Sequence, residues 1–168
     1  MKKMTETNVK DALAGESQAH IRYLAFSVRA ASENLPNIAR MFQATAYSEQ
    51  VHATNHLRTL AGVGTTAANL AGAIAGETFE IDEMYPAYAK VAELQGEKSA
   101  LMYSNYALAA EKVHAGIYGK AQAAVEKGKD IDAARNWLSS LERQKRLEGA
   151  APMLVGRDDV HIVHDEAQ

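Results

Sequence analysis

The chain has 168 residues, 47% hydrophobic and 23% charged, with a formal net charge of −3 and no cysteine. Such a length suffices for one domain with a proper core and a short appendage. The charge balance gives no footprint for nucleic acid or an anionic membrane, and the missing thiols exclude disulfides, iron–sulfur clusters, thiolate metal sites and cysteine nucleophiles.

The opening stretch MKKMTETNVKDALAGES carries lysines but no apolar segment behind them, so it does not read as a signal peptide. No uncharged apolar run approaches the ~20 residues of a membrane span. The expectation is a cytoplasmic protein. Alanine, glutamate, leucine, lysine and glutamine dominate, glycine and proline cluster at a few points, and the whole reads as helical. A first helix is predicted from about Thr5 to Glu33, stopped by ENLPN, with Pro36 in the first turn of the next. The second runs to about Ala61 and ends in AGVG. TTAANLAGAIAG reads as a short crossover helix. A third helix is predicted from Glu77 to Leu94 with a kink at Pro86, and a fourth from Glu97 to Lys127, closed by Gly128. Asp130 is placed to cap a fifth helix to about Leu147, whose apolar edge is Trp137, Leu138 and Leu141.

Two phrases recur across this frame. EQVHA at 49–53 returns as EKVHA at 111–115, and AGES at 14–17 returns as AGET at 75–78. The chain therefore reads as two related halves, each with a Glu and then, 33 or 34 residues later, a Glu-x-x-His. A lone glutamate on a helix is ordinarily a solvated surface residue. These are not so placed. At ~100° per residue, Val9, Leu13, Glu16, His20 and Tyr23 fall in one narrow stripe, as do Ile38, Phe42, Glu49, His56 and Leu60 on the second helix. Arg22, Arg40 and Arg58 point to the opposite faces. A carboxylate buried in such a stripe without a partner is very costly. His20 and His56 read equally well as core histidines or as hydrogen-bond supports for the glutamates.

Heights agree with directions. Measured from the first turn, between Asn34 and Leu35, Glu16 lies 18.5 residues before it, and Glu49 and His52 lie 14.5 and 17.5 after it. Measured from the second, between Gln95 and Gly96, Glu77 and Glu80 lie 18.5 and 15.5 before, and Glu111 and His114 15.5 and 18.5 after. At ~1.5 Å per residue all seven fall within about one helical turn of one level. Two antiparallel hairpins packed together would converge five carboxylates and two imidazoles, the ligand set of a carboxylate di-metal centre. Oxygen-rich ligation with some imidazole favours iron or manganese over a closed structural zinc site. Five carboxylates carry −5, so two ferrous ions leave −1, as do two ferric ions with an oxo bridge.

AGESQAHIRYLAFS, SEQVHATNHL, GETFEIDEMYPAY and ALAAEKVH resemble the four ligand-bearing helices of the rubrerythrin family, a similarity that covers residues 1–128. The resemblance implies an all-α, ferritin-like four-helix bundle with a di-metal core, a short crossover helix and here an additional C-terminal helix. Residues 129–168 then stand where many members carry a rubredoxin module. The implied metal ligands are Glu16, Glu49, His52, Glu77, Glu80, Glu111 and His114, holding two iron ions with manganese or zinc as substitutes. The implied activity is reduction of hydrogen peroxide in oxidative-stress defence. One iron exchanges between Glu80 and His52 on redox change, and Tyr23 and Tyr85 stand beside the centre. With no cysteine in the chain, electrons would come from an external donor such as rubredoxin. A homodimer is expected. Ala19, where the more symmetrical symerythrin would carry a carboxylate, favours the rubrerythrin type. The competing readings are a ferritin-like ferroxidase that binds and stores iron, and an oxygen-activating di-iron enzyme acting on an organic substrate. The second is disfavoured because seven ligands leave little room for substrate. His161 and His164 form a His-x-x-His pair without further ligands, weak ground for a second metal site.

Overall fold

Four long helical runs account for the regular structure, and each is closed by the same device. The coordinates, a computed structural model, describe residues 1–131. Most of the predicted fifth helix, with Trp137, Leu138 and Leu141, and the His161/His164 pair lie outside the described residues. Among the described residues every regular element is helical, as expected for an all-α protein. The runs are α1 (Lys3–Ser32), α2 (Pro36–Thr59), α3 (Thr66–Phe79) continued by a π turn (Glu80–Met84) into α4 (Tyr85–Gln95), and α5 (Lys98–Val125).

Each run ends where a residue takes the left-handed conformation and lets two N–H groups reach back to the last carbonyls. After α1, Asn34 has φ 59°, its N–H meets the Ala31 carbonyl at 3.1 Å, and the Leu35 N–H meets Ala30 at 2.9 Å. After α2, Ala61 has φ 54°, with N–H contacts to Arg58 at 2.9 Å and from Gly62 to Leu57 at 2.9 Å. Gly96 and Gly128 do the same for α4 and α5, at φ 71° and 64°. This Schellman arrangement satisfies orphan carbonyls, and glycine takes its strained position at no steric cost.

The stretch TTAANLAGAIAG is not a helix separate from the third. α3 starts at Thr66 and passes through Glu77 to Phe79 without interruption. Thr65 caps it, its hydroxyl accepting the Ala68 N–H at 3.2 Å, and nothing between Ala71 and Glu77 breaks helical geometry, because Gly72 and Gly76 keep ordinary φ. The kink expected at Pro86 is realised just before it. In the π turn the Tyr85 N–H reaches back five residues to the Glu80 carbonyl, and Pro86 then sits in the first turn of α4. The wider turn relieves the clash of a proline ring with the carbonyl four residues earlier.

The described chain forms two compact units, residues 1–62 and 63–131. In the first, α1 and α2 are joined by three residues and pack along their length as an antiparallel pair. The contact is lined by small buried residues, Ser27 and Ala30 on α1 against Ala39 and Ala46 on α2, which lets the backbones approach closely. Phe26, Phe42 and Tyr23 fill the next level as an aromatic cluster, with Phe26 edge-on to Phe42 at 5.5 Å between centroids. In the second unit α5 packs along α3, the π turn and α4, around Ala92 and Ala110.

Candidate metal centre

In the unit of residues 1–62, Glu16 on α1 faces Glu49 and His52 on α2. His52 Nδ1 lies 2.9 Å from Glu49 Oε2 and 3.9 Å from Glu16 Oε2. Glu49 is the more covered carboxylate, while half of the His52 side chain is exposed. A hydrogen bond donated to Glu49, then burial and the Glu49 charge, raises Glu16, while accepting that bond and the one from His52 lowers Glu49. Holding two carboxylates that close in the metal-free chain thus requires a proton between them.

The unit of residues 63–131 repeats the arrangement with Glu77 on α3 and Glu111 and His114 on α5. His114 Nδ1 stands 2.7 Å from Glu111 Oε2 and 3.8 Å from Glu77 Oε2. All three side chains are half-buried. Burial first, then the hydrogen bond and charge of Glu111, push the Glu77 carboxyl from 4.5 to about 7. Glu77 Oε2 is buried without a hydrogen-bond partner among the described residues. In each triad the three ligand atoms lie within 4.8 Å of one another. A buried carboxylate oxygen with no donor, aimed at a second carboxylate and an imidazole nitrogen, is what a bound cation would satisfy. The residues fit metal.

Six of the seven predicted ligands are thus gathered, three to each unit. Glu80 stands outside both triads, half-buried at the first residue of the π turn. It is near enough to act electrostatically, since its charge contributes to raising both Glu77 and Tyr85. Tyr85 is half-buried, edge-on to Tyr88 at 6.5 Å, and its phenol is pushed up by burial and then by Glu111, Glu80 and Glu77. Tyr23 lies in the aromatic cluster of the other unit, its ring 6.2 Å from both Phe26 and Phe42. His56 is half-buried and close enough to Glu16 for its charge to lower that carboxyl against the larger raising effects. Of the alternatives open for His20, the structure selects a specific contact: its Nδ1 lies 2.8 Å from the Ala46 carbonyl across the α1–α2 contact.

The π turn escaped the sequence reading, yet a signal was present. The repeat offset is 61 at AGES/AGET and 62 at EQVHA/EKVHA, which marks one extra residue between 78 and 111 in the second half. A π turn accommodates such a residue within a helix, and these turns recur at functional sites.

Paired helices that carry Glu and Glu-x-x-His at matched levels define the class of carboxylate-ligated metal proteins on helical scaffolds. A family model for rubrerythrins matches residues 7–122. The chain is 42% identical over 149 residues to rubrerythrin-2 of Clostridium acetobutylicum, covering 80% of this chain and 81% of that one. Nigerythrin of Nitratidesulfovibrio vulgaris is 35% identical, over 68% of this chain and 63% of its own length. The rubrerythrin of Porphyromonas gingivalis is 36% identical, over 74% and 68%. A solved structure of nigerythrin in its fully reduced, all-ferrous state is 32% identical over 73% of this chain and 67% of that one, with a TM-score of 0.38. The chain belongs to the rubrerythrin family. Membership makes it a ferritin-like helical protein, suggests oxidoreductase activity and implies a di-iron centre. Among the described residues no helix is long and apolar enough to cross a membrane.

Proposed function

We propose that the protein is a non-haem di-iron peroxidase that reduces hydrogen peroxide to water in oxidative-stress defence, drawing electrons from an external donor such as rubredoxin. The observation that carries this reading is the pair of Glu–Glu–His triads, one in each hairpin. Glu16, Glu49 and His52, with Glu77, Glu111, His114 and Glu80, are the proposed ligands of two iron ions. When bound, two ferrous ions supply the two electrons that convert one peroxide and two protons into two waters. The chain's own residues hold the ions and handle protons. Burial and three neighbouring carboxylates keep the Tyr85 phenol protonated, so its O–H is available to donate a hydrogen bond beside Glu77 and Glu111. Tyr23 is assigned the corresponding place beside Glu16 and Glu49. His52, half exposed, and Glu80, outside its triad, are the two ligands free to exchange.

A homodimer in the cytoplasm completes the proposal. Large apolar side chains stand exposed in the first unit (Ile21, Met41, Tyr47) and in the second (Tyr88, Val91, Leu94), and self-association would cover them. The test is stopped-flow oxidation of the anaerobically reduced, iron-loaded protein by peroxide and by O₂ in parallel. Faster reaction with peroxide supports the peroxidase. Faster reaction with O₂ and a multi-subunit particle that retains ferric iron would establish the ferroxidase reading instead.

A further inference from the structure

We propose that His20 is a positioning residue that fixes the register of α1 against α2, and so decides whether Glu16 reaches Glu49 and His52. The inference rests on the metal reading of that triad. Three observations carry it. First, His20 Nδ1 lies 2.8 Å from the Ala46 carbonyl, and among the described residues this is the one hydrogen bond from a side chain to the backbone of another helix, the other links between helices being the Glu–Glu pairs of the triads themselves. A carbonyl only accepts, so the Nδ1–H donates, which fixes where one ring proton sits. Second, apart from the Tyr23, Phe26 and Phe42 rings, the α1–α2 contact is lined by small side chains. Ala30, Ala39 and Ala46 are buried small side chains, and Ala46 is fully covered. Such a surface holds helices close but resists sliding weakly, because apolar contact has no direction. A hydrogen bond does: it weakens steeply outside a window of a few tenths of an ångström.

Third, the bond lies one turn from the triad on both helices. His20 is four residues after Glu16, and Ala46 is three before Glu49. In an antiparallel pair both displacements run toward the α1–α2 turn, so the two contacts form adjacent levels. A slip of one residue, ~1.5 Å along the axis and ~100° around it, would break the His20 bond and turn Glu16 away from His52 together. The second hairpin has no such bond. By the repeat offsets of 61 and 62, its residues at these places are Ile81 and Leu108. The triad that holds the more exposed histidine is the one whose hairpin has the polar strut.

The test uses the full chain loaded with Co(II), whose d–d absorption reports coordination, and compares wild type with His20→Leu, His20→Asn and His20→Gln. Asparagine places an N–H near the position of Nδ1, whereas glutamine places it near Nε2. The expected result is two Co(II) bound by wild type. In His20→Leu one of them should bind about tenfold more weakly, a change of ~1.4 kcal/mol, with altered d–d bands. Asparagine should restore both and glutamine should not. Long-range ¹H–¹⁵N spectra of the zinc-loaded protein should show a proton on His20 Nδ1. Wild-type affinity and spectrum in His20→Leu would overturn the strut while leaving the metal reading intact. If the leucine variant does not fold, equal behaviour of the asparagine and glutamine variants overturns it equally. Failure of wild type itself to bind Co(II) would sink the metal reading, and this inference with it.

Discussion

Glu77 turns a buried carboxylate oxygen, without a hydrogen-bond partner, toward His114, 3.8 Å from its Nδ1. Folding raises this carboxyl from 4.5 to about 7, so between those values the folded chain keeps a proton that the unfolded chain releases. The group's contribution to stability is full below about pH 4.5 and is lost as pH rises through about 7. Glu16 is raised and acts in the same sense, while Glu49 and Glu93 are lowered and act below 4.5. The metal-free protein should therefore melt at a falling temperature as pH rises from 5 to 7.5. Glu77→Gln should flatten that slope. A slope unchanged by the substitution, in thermal melts followed by circular dichroism, would show that Glu77 is not the group responsible.

Metal should hold each hairpin's carboxylates together as well as serve chemistry. Both triads place two carboxyls in contact, which the metal-free chain tolerates only by retaining protons. At a free-metal concentration a hundred times Kd, binding confined to the folded state adds ~2.7 kcal/mol. At ~2–4 °C per kcal/mol for a chain of this size, chelation should lower Tm on the order of 5–10 °C. Glu49→Ala and Glu111→Ala should each lose bound iron by elemental analysis. Equal melting of loaded and stripped protein in scanning calorimetry would mean the carboxyls do not need a cation.

Ala61 is the costliest of the four helix stops. It takes φ 54° where Gly96 and Gly128 take similar values without a Cβ, and where the asparagine at 34 is tolerated. An L-residue other than glycine or asparagine in this region costs about 1–2 kcal/mol. Ala61→Gly should stabilise the protein by ~1 kcal/mol, and Gly128→Ala should destabilise it by a similar amount. Urea unfolding at constant m-value measures both. Loss of stability in Ala61→Gly would mean that greater freedom of the unfolded chain outweighs the relieved strain.

What the sequence made legible was whatever depends on period and count. Stripe membership and distance from the turns placed Glu16 with Glu49 and His52, and Glu77 with Glu111 and His114, because a helix converts residue number into direction and height. What it left hidden depends on single backbone decisions. The π turn at Glu80–Met84 is marked only by the one-residue change of repeat offset, and Glu80, its first residue, stands outside the triad of Glu77, Glu111 and His114. The continuity of TTAANLAGAIAG with the helix predicted from Glu77 also stayed hidden, since Gly72 and Gly76 could have ended a helix but keep ordinary φ. The contact of His20 with a carbonyl could not be foreseen, since every residue carries a carbonyl and only packing selects Ala46.

Turnover should stop after one oxidation unless electrons arrive from outside. The sequence contains no cysteine, so it offers no thiolate iron site to relay electrons. The reduced protein should consume one peroxide per two-iron centre in a fast phase and then stay oxidised until rubredoxin or a comparable donor is added. His52 is the triad member best placed to change ligation, because half of its side chain is exposed while its Glu49 partner is covered. His52→Ala leaves the other proposed ligands in place. It should therefore lower iron affinity modestly but slow the peroxide phase on the order of 10- to 100-fold. Rapid mixing with peroxide, read beside an iron-binding titration on the same variant, separates the two effects. Equal losses in both would reduce His52 to an ordinary ligand, and continuous turnover with a nicotinamide alone would contradict the need for a protein donor.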